Sequence, residues 1–159
     1  DLGFIEVDER PEGLEVQVFG RDLVVACVSP AHRWAGRTTP VGAAELAEES
    51  WVLRERGSGT RDTFERALDR DLDVALEVSS TMVLVNAALG GLGPAVVAER
   101  AVAAELAIGS LVRVPTELEL ARPLAAVWRP DYRPTDAARD LLARLRADPG
   151  VAIDTRTSR

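Results

Sequence analysis

Three consecutive hydroxyls, Ser79-Ser80-Thr81, and a glycine-serine turn, Gly57-Ser58-Gly59-Thr60, are the residues best suited to handling a small polar ligand. Each set follows a short apolar run and precedes a segment that reads as a helix. A hydroxyl at a helix N-terminus can satisfy a free backbone amide, and those amides, with the helix dipole, attract anions. Ser79, Ser80 and Thr81 therefore carry two compatible expectations, ligand contact and capping. At Ser58 and Thr60 the turn itself is the leading expectation, because glycine and serine are what a tight strand-to-helix connection uses.

Covalent chemistry finds little support, and the chain is not expected to be an enzyme. A Ser58 nucleophile would need a base, and His32 is the only histidine. His32 has no Cys or carboxylate cluster at metal-ligand spacing, so it reads as a surface-loop residue, and neither a metal nor another cofactor is expected. Cys27, within an apolar run, reads as a small buried hydrophobe, because a redox sensor needs an exposed thiol of low pKa.

The elements that must position these groups can be read in order. Leu2 to Val7 and Leu14 to Phe19 are strand-like, with turn residues from Asp8 to Gly13 between them. Gly20-Arg21-Asp22 is expected to break the pattern before the apolar strand Leu23 to Val28. A loop with Trp34 as packing anchor leads to a helix over Val41 to Glu48, started by Thr39-Pro40. Trp51 to Arg54 is a strand, Asp62 to Leu68 a helix, and Val74 to Val78 a second strand. Met82 to Leu89, apolar on most sides, reads as a buried helix ended by the glycines at 90, 91 and 93. Pro94 to Val97, Leu111 to Val114 and Pro123 to Trp128 are strands, with a helix over Glu99 to Ala107. Thr135 caps a last helix to about Ala147, with Ala138, Leu141, Leu142 and Leu145 on one face. Residues 149–159 read as a polar tail.

This alternation implies an α/β fold with a mainly parallel sheet. Parallel strands would open both hydroxyl-rich junctions, about twenty residues apart, at one carboxyl edge, where open α/β sheets bind ligands.

Composition narrows the function. With 159 residues, 47% hydrophobic and 28% charged, the chain suits one domain or two small lobes. A formal charge of −7 lacks the electrostatic footprint of a nucleic-acid binder, so this chain alone is not expected to hold DNA. Every cation is Arg, which reads as coding bias. One cysteine excludes an internal disulfide and fits a reducing cytoplasm. No apolar run reaches the roughly 18 residues of a membrane span, and no signal peptide is present. The chain opens on Asp1 and directly on an apolar strand, so an upstream segment is expected.

Several segments, in order, resemble the effector-binding region of LysR-type transcriptional regulators. They are Asp1 to Glu6, Leu23 to Pro30 with His32, Glu45-Leu46-Ala47 before Trp51, and Arg54-Glu55-Arg56-Gly57-Ser58-Gly59-Thr60-Arg61 with Phe64. Leu89-Gly90-Gly91-Leu92-Gly93-Pro94, Leu106 to Leu111 and Val127-Trp128-Arg129 follow. The resemblance covers residues 1 to about 147. It implies a fold similar to the periplasmic binding proteins, with two Rossmann-like lobes and a small-molecule effector, an anion among the candidates, between them. Effector binding would change lobe closure and so the arrangement of subunits. The second lobe would take residues 21–129 and be nearly complete. The first, partial lobe would comprise residues 1–20 with the crossover and the return helix at 130–148, the chain crossing back near Trp128 to Pro130.

The resemblance places Ser79 at the cleft and suggests Phe4 and Glu6 as cleft-facing positions of the first lobe. Glu6 implies a cationic or hydroxyl-bearing ligand or, as the leading expectation, a salt bridge to an arginine where the chain crosses. Ala95 and Val96 could form an apolar wall, although core packing competes for them. DNA binding would belong to an N-terminal helix-turn-helix that this chain lacks. Apolar surface on Leu2, Phe4, Leu141 and Leu145 suggests a homodimer or higher oligomer. A substrate-binding module of a transport system is the alternative on the same fold.

Overall fold

Among the described residues, 2–6 and 11–147 of a computed structural model, the patterning resolves into seven strands and five α-helices. In order they are β1 (Leu2–Ile5), β2 (Glu15–Val28), α1 (Ala43–Ala47), β3 (Ser50–Arg54), α2 (Gly59–Leu68), β4 (Asp73–Val78) and α3 (Thr81–Leu89). Then come β5 (Ala95–Ala98), a 3-10 turn (Glu99–Val102) running into α4 (Ala103–Ile108), β6 (Val112–Val114), β7 (Ala121–Trp128) and α5 (Asp136–Ala147). The tail at 149–159 and the first half of the turn at 8–13 lie outside the described residues.

The chain divides into two units. Residues 23–120 make the second, and the described parts of 1–22 and 121–159 make the first. The return expected near Trp128 to Pro130 lies instead at Leu120–Ala121. β7 belongs to the first unit, and its second half pairs antiparallel with β1, from Leu2 opposite Trp128 to Ile5 opposite Ala125.

In the second unit β3 runs parallel to both β4 and β5. β2 runs antiparallel to β5 and β6, so the sheet is mixed where a mainly parallel one was expected. The parallel pairs are those joined through helices α2 and α3, as parallel connections require. Side chains alternate between two cores. Val24, Ala26, Val28, Trp51, Leu53 and Val96 face one, while Val25, Cys27, Val52, Ala95 and Val97 face the other. Burial on both faces is why Leu23 to Val28 reads as an almost unbroken apolar run.

Trp51 anchors the first core. Its ring lies 4.5 Å from Phe64 and 6.1 Å from Trp34, and its indole N–H donates to the Leu46 carbonyl at 2.8 Å. Close approach to β3 requires Gly93, since a Cβ there would collide with the Ser50 carbonyl oxygen. Cys27 is fully buried, and burial, with Glu105 nearby, pushes its thiol up to about 12.

Several local expectations are corrected by tertiary contacts. β2 runs through Gly20-Arg21-Asp22 because the Asp22 carboxylate, poor in a strand by propensity, is held by Arg122 Nε and Nη2 at 3.1 and 2.7 Å. α1 begins only at Ala43, since Val41 bonds the Pro115 carbonyl at 2.8 Å and bridges Thr116. The helix expected from Glu99 starts as a 3-10 turn, with the fully buried Val102 at the break. α3 is not buried all round: Leu84, Val85 and Ala88 face inward, but Met82 is 73% exposed and Val83 is exposed. His32 is half-buried rather than a free surface residue, its ring edge-on to Trp34 and its Nδ1 accepting the Trp34 amide at 3.2 Å. Burial lowers its pKa, against the pull of Glu49 and with Arg33. At the last helix, Thr135 Oγ1 does accept the Ala138 amide, at 3.3 Å.

Candidate functional site

The parallel register of β3 and β4 sets Arg54 beside Val78, so both strands end at one edge. The Glu55 amide donates to the Val78 carbonyl at 3.0 Å and ties the two ends together. α2 leaves from the first strand end and α3 from the second, with Ser58 and Ser80 as their N-caps.

Neither cap serine spends its hydroxyl on its helix: no side-chain cap hydrogen bond forms at Ser58 or at Ser80. The expected capping is thus absent at both junctions. Ser79 and Ser80 are exposed, and Thr81 is half-buried. In an α-helix the first amides lack an intrahelical partner. In α3 the first turn closes only with Leu84 donating to the Ser80 carbonyl at 3.0 Å, so the amides before it point out of the helix end.

Arg54 supplies a cation at this end. Its Nη1 donates to Thr81 Oγ1 at 3.0 Å, while Nε and Nη2 grip the two carboxylate oxygens of Glu55 at 2.8 and 2.9 Å. Its hydrogen bonds to Glu55, more than simple proximity, hold the Glu55 carboxyl below its ordinary value. The edge thus combines a guanidinium fork, two unspent serine hydroxyls, a threonine oxygen and the positive end of a nine-residue helix. Such a set is suited to binding a carboxylate or phosphate.

Beneath the first junction lies Arg61, 1% exposed at its side chain. It donates to the Arg54 carbonyl at 2.9 Å, to Glu65 at 2.6 Å and to Glu77 at 2.6 Å. Burial favours losing its proton, but the two carboxylates outweigh that and its pKa is raised. Arg61 therefore fixes the backbone from which Arg54 projects. Thr60 is half-buried in the first turn of α2, and Thr63 closes that turn by donating to the Gly59 carbonyl at 2.8 Å.

The remaining expected residues lie elsewhere. Val96, on β5, is 1% exposed within the Trp34–Trp51–Phe64 core, so it offers no surface to a ligand; core packing claims it. In the first unit Phe4 is 52% exposed and packs edge-on against Phe19 at 5.9 Å. Glu6 makes the expected salt bridge, 2.7 Å to Arg122, the same guanidinium that holds Asp22. Sequence reasoning missed Arg54, Glu55 and Arg61 as site-building residues. For Arg54 and Glu55 the one signal is the charged triplet Arg54-Glu55-Arg56 at the end of an apolar strand, just before the glycine-serine turn; Arg61 follows that turn.

Among the described residues no helix is long and apolar enough to cross a membrane, and no group of three His, Cys, Asp or Glu is placed to hold a metal.

Comparison with known proteins agrees with this architecture. Residues 1–149 match the LysR substrate binding domain. The chain is 42% identical over 154 residues to an uncharacterised HTH-type transcriptional regulator of Mycobacterium tuberculosis, Rv2282c, covering 91% of this chain and 49% of that protein. It is 30% identical over 136 residues to the HTH-type regulator YeiE of Escherichia coli, covering 84% of this chain and 45% of the relative. The chain therefore spans about half the length of these relatives. Among solved structures, the CcmR regulatory domain of Synechocystis PCC6803, in complex with 2-PG, superposes with a TM-score of 0.80 at 25% identity, covering 92% of this chain and 72% of that one.

Proposed function

The chain belongs to the LysR substrate binding domain family and is an effector-sensing regulatory domain, and from that premise we propose that its effector is a small anion. The observation that carries this reading is the shared end of β3 and β4, where Arg54, Thr81 and the unspent hydroxyls of Ser79 and Ser80 surround the open end of α3. The guanidinium and helix amides would neutralise the charge, and the hydroxyls would orient it. The CcmR regulatory domain, solved in complex with 2-PG, supports a small-molecule effector.

In the whole protein this domain would act through a helix-turn-helix outside the present chain, as the names of the relatives suggest. Effector would favour one arrangement of the protein over another by its differential affinity, without chemistry on the ligand. The protein would thus be a cytoplasmic regulator, not an enzyme, and not a transport module. Exposed Phe4 and Leu141 support assembly as a homodimer or higher oligomer. A monomeric mass by light scattering across micromolar concentrations would contradict that.

The site is tested by thermal shift on the full-length protein with phosphate, sulfate and small carboxylates. A ligand at a hundred times its Kd stabilises by about 2.7 kcal/mol, which is readily measured. At least one anion should raise Tm, and Arg54→Gln should remove most of the rise. An equal rise in that variant would exclude this edge as the anion site.

A further inference from the structure

A guanidinium that recognises an anion must first be available, and each of the three nitrogens of Arg54 already has a partner. Two of its nitrogens hold Glu55 in a bidentate grip and the third holds Thr81. Glu55 presents to Arg54 what a carboxylate or phosphate ligand would present: two oxygens in the plane of the fork. The pair is not sealed away. Both side chains keep access to water, 23% for Arg54 and 40% for Glu55, so exchange needs no unfolding. The backbone beneath is fixed, because Arg61 clamps the Arg54 carbonyl and the Glu55 amide is tied to Val78.

Resting on the anion-effector reading above, we propose that Glu55 is a built-in competitor. It occupies the Arg54 fork in the unliganded domain, and an anionic effector displaces it. Thr81 stays on Nη1 and keeps the guanidinium oriented while its partner changes. The exchange makes the site selective. A single-charged ligand with one accepting oxygen cannot replace a bidentate carboxylate, whereas a phosphate or carboxylate, adding contacts to Ser79, Ser80 and the α3 amides, can. It also provides a signal: the displaced Glu55 leaves the strand end carrying an unpaired charge.

The test measures binding of inorganic phosphate, by calorimetry, to the full-length protein and to Glu55→Gln, Arg54→Gln and the double variant. Removing the competitor should tighten phosphate binding roughly threefold to tenfold, the scale of one charge-assisted contact at a partly exposed site. The gain should vanish in the Arg54→Gln background, because the competition acts through that fork. A gain of equal size in both backgrounds would mean a general field effect and overturn the displacement. Unchanged or weaker binding in Glu55→Gln, with Arg54→Gln still impaired, would overturn the competitor while leaving the anion site intact. If phosphate binds equally to wild type and Arg54→Gln, or to none of the four proteins, the anion site itself fails and the competitor with it. Binding seen only in Glu55→Gln would mean that phosphate does not displace Glu55 from the fork, and would overturn the exchange.

Discussion

The two strand-to-helix junctions at the shared edge follow the same local plan and end in different states. At the β3–α2 junction the space under the turn is filled: Arg61 is buried against Glu65, Glu77 and the Arg54 carbonyl, and Thr63 closes the helix start. At the β4–α3 junction Ser79 and Ser80 face solvent with their hydroxyls unspent, and Arg54 reaches across to Thr81. One junction is a support and the other a surface. Hydroxyl-rich composition alone does not distinguish them; what fills the space beneath each helix start does.

The contrast breaks first at Arg61. Arg61→Ala should cost about 2–3 kcal/mol in urea unfolding, since it removes a buried charged donor while the half-exposed Glu65 and Glu77 regain water. A loss below about 0.5 kcal/mol, the range of ordinary surface changes, would mean the first junction is no support. Arg54→Gln should do the reverse, lowering phosphate affinity about tenfold, the scale of a lost charge-assisted hydrogen bond, with a smaller effect on stability.

Serine variants sharpen the comparison further. An N-cap serine usually contributes about 1 kcal/mol, but with no cap bond Ser79→Ala and Ser80→Ala should each stay within about 0.5 kcal/mol of wild type. They should still weaken phosphate binding a few-fold, whereas Ser58→Ala should change neither quantity. Equal losses of affinity from Ser58→Ala and Ser79→Ala would erase the distinction between the junctions.

The smallest effect concerns pH. Because Arg54 depresses the Glu55 carboxyl, their pairing stabilises the fold above the unfolded glutamate pKa and is lost as pH falls through the lower folded value. Glu55→Gln should therefore show a slightly shallower acid-side loss of stability. In wild type, the Glu55 carboxyl carbon should titrate below the ordinary glutamate range by NMR, and Arg54→Gln should return it. An ordinary midpoint in wild type would mean that the pair does not persist in solution.

The sequence by itself determined the order of elements around the edge and the kind of residue found there. Apolar runs of strand length, glycine-serine breaks and hydroxyls at helix starts are local signals, so β3, α2, β4 and α3 were legible to within a few residues, as was the run of hydroxyls at the start of α3. A buried Trp34, a buried Cys27 and a paired Glu6 were legible on the same grounds of residue type. Only the tertiary structure decided which groups meet. The register of β3 against β4 sets Arg54 on Thr81, 27 positions away, and Arg61 on Glu77, 16 away; the pairing of β1 with β7 moves residues 121–128 into the first unit. Val96 became core and Asp22 a strand residue through partners distant in sequence. Local propensity is set by a residue and its near neighbours, whereas charge pairing and burial depend on which strands adjoin, and that is fixed only when the sheet closes its hydrogen bonds.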